Sequence, residues 1–213
     1  MLRRRPPLSL QEGFTLLELT ISMMLLTIVL AIFVTTFVSV NTRFDKQSLR
    51  SQSNDQARLA VEEIDREVRS GNLLYDPSLE NDSAHGIYPG MALRVYTQTN
   101  APTRDPSNRC VQWRVFGGEL QNRSWSVTWQ TDGNYTGWRT VADHLVNQTN
   151  SPQTAAFALD PEATKGSRTL IVNILTNFSK SAGNDVQIQT SVTGRNTEYG
   201  YPQDICNDIP PYP

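Results

Sequence analysis

The feature that most constrains this chain is the segment from Leu19 to Val40, 22 residues that include no charged side chain. An α-helix of that length, rising about 1.5 Å per residue, spans roughly 33 Å, about the thickness of the hydrocarbon core of a bilayer. The segment lacks glycine and proline, so we expect an unbroken helix. Arginines occupy positions 3–5, and no basic residue follows before Arg43. The positive-inside rule therefore predicts a cytoplasmic N-terminus and an exported C-terminal part.

The rest of the chain is polar enough to form a water-soluble domain, since the mean hydropathy of all 213 residues is negative. A net charge of −2 does not suit a nucleic-acid-binding protein, which needs a basic face. A cleaved secretory signal is also disfavoured, because the apolar segment is too long and no small-residue cleavage site follows Val40. An uncleaved signal anchor remains an alternative interpretation at this point.

The segment after the apolar run has the periodicity of an amphipathic helix. Its apolar residues recur at steps of four, three and four, which places them on one face: Ala57, Val61, Ile64 and Val68. Gly71 supplies a C-terminal stop. We therefore predict one helix from about Phe14 to about Ser70, apolar on all sides in residues 14–40 and along one stripe in residues 41–70.

The remaining residues, 71–213, have the sequence pattern of a β-rich globular domain. Strands are predicted for the segments ALRVYTQ, TLIVNILTNF and DVQIQTSVTG, and a strand with a short turn for GWRTVADHLVNQ. The segment CVQWRVFGGELQNRSWSVTW is interpreted as a β-hairpin whose turn is Gly117-Gly118, a pair suited to positive φ. The proline-rich end of the chain is predicted to be irregular. A helix followed by strands predicts an α+β fold in which the apolar stripe packs on an antiparallel sheet.

The residues that usually carry chemistry are few and scattered. The two cysteines, Cys110 and Cys206, form no CxxC motif and lie far in sequence from His85 and His144, so no zinc site is predicted. In an exported domain the cysteines are expected to form a disulfide, with two buried thiols as the alternative. We predict no metal and no cofactor.

No enzymatic activity is predicted, because the chain has no G-x-S-x-G, P-loop or HExxH motif. The acidic residues of the segment DPSLENDS, Asp76, Glu80 and Asp82, are interpreted as part of a solvated loop rather than a calcium site. The tryptophans are interpreted as core and hairpin residues, with a carbohydrate- or substrate-contact surface as the alternative: Trp113, Trp125, Trp129 and Trp138.

The start of the apolar helix resembles the processing motif of type IV pilin-like proteins. The motif is GFTLLEL behind a short basic leader, and the matching residues are Gly13, Phe14, Thr15, Leu16 and Glu18. The resemblance implies that a prepilin peptidase removes residues 1–13 by cutting between Gly13 and Phe14, and that the new Phe14 amine is N-methylated. It also implies that the subunit waits in the cytoplasmic (inner) membrane and then joins other pilins or pseudopilins through its helix.

The carboxylate of Glu18 needs a physical reason, because a lone charge of this kind inside a bilayer costs about 2.5 kcal/mol or more. Phe14 and Glu18 are four residues apart, so they would share a face of the helix. The Phe14 ammonium would pair with Glu18 of the same subunit or, in a filament, with Glu18 of a neighbour, which would set the axial register between helices. The alternative is that Glu18 extends to the lipid headgroups and has no role in assembly.

The globular part has a second, less specific resemblance. The order of its predicted elements is similar to that of J-type minor pseudopilins of type II secretion and PilW-type minor pilins. A strand comes first, then the hairpin WRVFGGELQNR, which contains Leu120 and Arg123, and then two later strands. This similarity implies a low-copy subunit that initiates or caps a pilus or pseudopilus. The alternative from another class is a signal-anchored bitopic receptor or adhesin whose N-terminus is not processed.

Overall fold

The computed structural model describes residues 13–98, 108–161, 168–178, 185–194 and 201–211. The chain divides into two compact units, residues 1–47 and 48–213, and the division falls inside a long helix. Of the predicted leader, all but Gly13 lies outside the described residues.

The long helix, α1 (Leu16–Ser70), contains 55 residues. The prediction of a single helix is confirmed, although α1 begins two residues later than expected. The next residue, Gly71, opens the first strand, and a Cβ atom there would lie 2.7 Å from Cγ1 of Val95. The close approach of a neighbouring strand therefore requires glycine at the end of the helix.

The first sheet has five antiparallel strands in chain order: β1 (Gly71–Leu74), β2 (Ala92–Gln98), β3 (Asn108–Phe116), β4 (Glu119–Ser126) and β5 (Arg139–Ala142). A single helical turn, α2 (Trp129–Asp132), lies between β4 and β5. Strands β3 and β4 form the predicted hairpin, and Gly117 and Gly118 have φ angles of 62° and 83° in its turn. Positive φ at both positions explains why two glycines occur together.

The second sheet has three antiparallel strands: β6 (Phe157–Leu159), β7 (Thr169–Thr176) and β8 (Val186–Thr193). Alternate residues of β7 are buried, namely Leu170, Val172, Ile174 and Thr176. This period of two is that of a strand with one face in the core. The strands predicted from TLIVNILTNF and DVQIQTSVTG are both confirmed.

The main apolar core joins the second half of α1 to both sheets. The helix contributes Ala57, Ala60, Ile64 and Val68, whereas the sheets contribute residues that include Leu93, Val95, Trp113, Leu120, Leu170, Val172 and Ile174. Burying a side chain of the size of Ile64 contributes about 1.5–3 kcal/mol, so the stripe holds the helix against the sheets. The predicted α+β fold, with an amphipathic helix packed on antiparallel sheet, is confirmed.

Candidate functional site

The start of α1 is a capped helix terminus. Thr15 immediately precedes the helix, and its Oγ1 accepts a hydrogen bond of 3.2 Å from the backbone N–H of Glu18. The carbonyl of Thr15 accepts a second bond of 3.2 Å, from the N–H of Leu19. Thr15 is therefore the N-cap residue, and Glu18 lies in the first turn, where the helix dipole favours a carboxylate. The spacing T-x-x-E is the sequence pattern of a capping box.

This cap explains why the helix begins later than predicted. Phe14 lies outside the helix, so the expectation that Phe14 and Glu18 share a helical face within one subunit is wrong. Both side chains are exposed. Among the residues that the structure describes, Glu18 forms no ion pair.

The apolar segment of α1 is exposed along its length, and the helix is long and apolar enough to cross a membrane. The threonine hydroxyls of this segment bond within the helix, each to a carbonyl three or four residues earlier. These bonds, of 2.8 to 3.0 Å, are made by Thr20, Thr27, Thr35 and Thr36. Hydrocarbon offers no partner to a hydroxyl, so bonds of this kind suit a segment surrounded by lipid.

The two cysteines form the expected disulfide, which joins Cys110 of β3 to Cys206 with a Cα–Cα distance of 5.7 Å. Both residues are fully buried. The carbonyl of Cys206 accepts a 2.8 Å bond from Nη1 of Arg94, and its N–H donates a 3.1 Å bond to Oη of Tyr75. The segment 201–211, which contains neither helix nor strand, is thereby fastened to the five-stranded sheet.

The expectation of a solvated acidic loop is wrong for Glu80. Its carboxylate is buried and pairs with Arg94, whose Nη2 lies 2.8 Å from Oε1. Nε2 of Gln112 lies 3.4 Å from the other oxygen. A buried carboxylate needs such partners because losing its hydration is costly. Within the described ranges, no three His, Cys, Asp or Glu side chains converge where they would hold a metal ion.

Two of the four tryptophans lie in the core, Trp138 stacks with arginines, and Nε1 of Trp129 donates a 2.9 Å bond to the carbonyl of Asp208. Trp113 and Trp125 are buried, as expected for core and hairpin residues. Trp138 is half-buried, and the guanidinium groups of Arg114 and Arg123 lie 4.0 and 4.5 Å from its ring centre. Cation–π contacts at partly exposed positions contribute about 0.5–1 kcal/mol each. These arginines therefore fasten the chain before β5 to the face of the hairpin.

The globular unit also contains a buried carboxylate that was not expected. Glu67 is 6 % exposed and lies three residues after Ile64, on the apolar stripe of α1. Nε1 of Trp113 donates a 2.7 Å hydrogen bond to Oε2 of Glu67, and Nη2 of Arg109 lies 3.6 Å from Oε1. The spacing from Ile64 is the one signal in the sequence that places Glu67 on the buried face.

Burial raises the pKa of the Glu67 carboxyl from an ordinary 4.5 to about 7, because the ion loses its hydration. The hydrogen bond from Trp113 and the positive charges of Arg109 and Arg66 act to lower this pKa, whereas the negative charge of Glu63 acts to raise it. Glu67 lies well beyond the apolar segment, in the compact unit of residues 48–213. Its carboxyl therefore changes charge near neutral pH.

The two histidines have local roles. His85 ends a single 3-10 turn (Ser83–His85), and its Nδ1 lies 2.9 Å from Oδ2 of Asp82. His144 has a φ angle of 61°, and its Nδ1 lies 2.7 Å from Oδ1 of Asp143. The carbonyl of His144 accepts a hydrogen bond of 2.8 Å from the N–H of Asn177. This bond links the segment after β5 to the residue that follows β7.

Comparison with models of protein families and with curated proteins finds no match to this chain. No relative therefore assigns a role to the residues described above. Their function has to be inferred from their own chemistry, above all from the exposed apolar helix that carries a carboxylate in its first turn.

Proposed function

We propose that this protein is a minor pilin or pseudopilin, a structural subunit that initiates or caps a type IV pilus or a type II secretion pseudopilus. Its proposed partners are other pilins or pseudopilins, which contact the apolar helix, and a prepilin peptidase. The proposal includes no catalytic role and no nucleic acid. The exposed apolar helix and the disulfide of the globular unit support it, because a disulfide persists in an oxidising compartment outside the cytoplasm.

The observation that carries this proposal is the position of Glu18. The helix dipole contributes about 0.3–1 kcal/mol in favour of a carboxylate in the first turn. An unpaired carboxylate inside a bilayer costs more, about 2.5 kcal/mol or more. The cap at Thr15 holds Glu18 in the first helical turn, four residues after Phe14 in the chain. A chain cut before Phe14 would thus carry an ammonium and a carboxylate close together at the same end. When two such chains are displaced along the filament axis, the ammonium of one would pair with the carboxylate of the other.

The processing step is tested by intact-mass measurement and N-terminal sequencing of the protein extracted from its native membrane. We expect a chain that begins at N-methylated Phe14 when prepilin peptidase is present, and an uncut chain when the peptidase is deleted. A chain that begins at Met1 in both strains would contradict the proposal and would favour a signal-anchored receptor or adhesin.

Glu18→Ala is expected to leave cleavage after Gly13 intact and to lower incorporation into filaments at least about tenfold, because a neighbouring ammonium would lose its partner. The ratio of the protein in sheared filaments to that in membranes measures the effect. Thr27→Ala is the matched control, since Thr27 lies in the same exposed segment and its hydroxyl bonds to the carbonyl of Met24 in its own helix. Equal incorporation of Glu18→Ala and the wild type would rule out a role for the carboxylate in axial register.

A further inference from the structure

The five-stranded sheet carries a second apolar cluster on the face that α1 does not cover. Along β3, Val111 and Trp113 belong to the main core with α1, whereas Cys110 belongs to the second cluster. Successive side chains of a strand lie on opposite faces of its sheet, so the two clusters lie on opposite faces. The sheet contributes to the second cluster Leu73, Tyr96, Cys110 and Trp125.

This second cluster is completed by the segment 201–211, which we call the strap. The strap contributes Tyr201, Ile205, Cys206 and Ile209. The rings of Tyr96 and Tyr201 meet edge to face, with their centres 5.4 Å apart. Tyr96 and Trp125 are each only 2 % exposed in the cluster. Lifting the strap would therefore expose a contiguous patch of aromatic surface, of the kind through which chains associate.

The strap is held to its seat mainly through its own backbone. Carbonyl groups of alternate strap residues accept hydrogen bonds from the side chains of Arg94, Trp129 and Arg123, at 2.8, 2.9 and 3.3 Å. The accepting carbonyls are those of Cys206, Asp208 and Pro210. The strap contains neither helix nor strand, so no ladder of its own orders its backbone. Fixing each of its residues on the sheet costs conformational entropy, which opposes these contacts.

The disulfide supplies the attachment that this balance needs. It joins Cys206 of the strap to Cys110 of β3, and both residues are fully buried. While the bond is intact, Cys206 stays on the sheet, so much of the freedom that the strap would gain by lifting is withheld. When the two sulfur atoms are thiols, that freedom is restored and only the hydrogen bonds and the apolar contacts remain.

We propose that the strap is a redox-controlled cover, which closes over the aromatic face of the sheet when Cys110 and Cys206 form the disulfide and lifts when they are thiols. Closure requires an oxidant of the disulfide class. Each thiol gives up its proton, the pair gives up two electrons, and an S–S bond forms between the two cysteines as the S–S bond of the oxidant breaks to give two thiols. The proposal does not depend on the filament role, because a receptor or adhesin would have the same strap.

The test is hydrogen–deuterium exchange of the full chain in detergent micelles, followed by mass spectrometry of its peptides. In the closed strap the N–H of Cys206 donates a 3.1 Å bond to Oη of Tyr75, and the N–H of Asn207 donates a 2.9 Å bond to the carbonyl of Asp204. We expect these amides to exchange at least about tenfold faster in Cys110→Ala/Cys206→Ala, and in wild type reduced with a phosphine, while β7 keeps its protection. Oxidised glutathione should restore the protection of the reduced wild type.

Asn207→Ala is the matched control, because it removes a 3.3 Å bond from Nη1 of Arg94 to the strap but leaves the disulfide in place. It should change the exchange of the strap by less than about twofold. A strap that stays equally protected without the disulfide would overturn the proposal, as would an Asn207→Ala effect as large as that of reduction. Equal loss of protection in β7 and the strap would also overturn it, since the disulfide would then support the whole unit. The same holds if oxidised glutathione fails to restore protection.

Discussion

Replacing both Cys110 and Cys206 with alanine is expected to lower the free energy of unfolding by about 4–5 kcal/mol. The two residues are 96 positions apart, so the disulfide removes much of the conformational freedom of the unfolded chain. In the folded state it also fastens the segment 201–211 to β3. Urea unfolding of the full chain in detergent micelles measures the loss of unfolding free energy. The fluorescence of the buried Trp113 and Trp125 reports the unfolding.

The single variants are the controls for this prediction. Cys110→Ala or Cys206→Ala alone breaks the bond, so each should cost nearly as much as the double variant. Such non-additivity is expected when two residues act through one shared interaction. Independent losses that sum to the value of the double variant would contradict a cross-link, as would labelling of both thiols in the unreduced protein.

Glu67→Gln is expected to stabilise the protein by about 3 kcal/mol at about pH 8 and to have little effect near pH 4.5. Glutamine keeps an oxygen that accepts the hydrogen bond from Nε1 of Trp113, which is 2.7 Å long in the wild type. Glutamine does not ionise, whereas Glu67 must lose its hydration to be charged in the folded state. Urea unfolding of both proteins over a series of pH values measures the difference.

The direction of this pH dependence follows from proton linkage. The pKa of Glu67 is about 7 in the folded state and near 4.5 in the unfolded state, so folding favours the protonated carboxyl. The stability contributed by Glu67 is therefore complete below pH 4.5 and is lost as the pH rises through 7. One pKa unit is equivalent to about 1.36 kcal/mol, so the whole difference corresponds to about 3 kcal/mol.

Glu62→Gln is the matched control for Glu67→Gln, because Glu62 is exposed on the same helix. It should change the free energy of unfolding by no more than about 0.5 kcal/mol at any pH in the series. If the wild type and Glu67→Gln lost stability in parallel between pH 4.5 and pH 7, another group would be responsible and the role assigned to Glu67 would be wrong.

The sequence by itself was sufficient to predict the main elements and their types. The uncharged segment that ends at Val40 and the stripe that follows it predict α1, and Gly117-Gly118 predicts the turn of the β3–β4 hairpin. These signals are local, because helical periodicity and turn conformation depend on residues that are neighbours in the chain. The signal that sets the helix start is local too. Thr15 and Glu18 have the spacing of a capping box, which places Phe14 outside the helix.

Only the tertiary structure decided which polar residues lose contact with water. Glu62 and Glu67 belong to the same amphipathic segment, yet Glu67 alone is covered, by Trp113 and Arg109 of β3. Glu80 is buried in the same way, because β2 brings Arg94 against it. A local sequence pattern determines which face of its own helix or strand a side chain lies on. The desolvation of a charge depends instead on atoms supplied by distant segments, and only the folded chain brings those together.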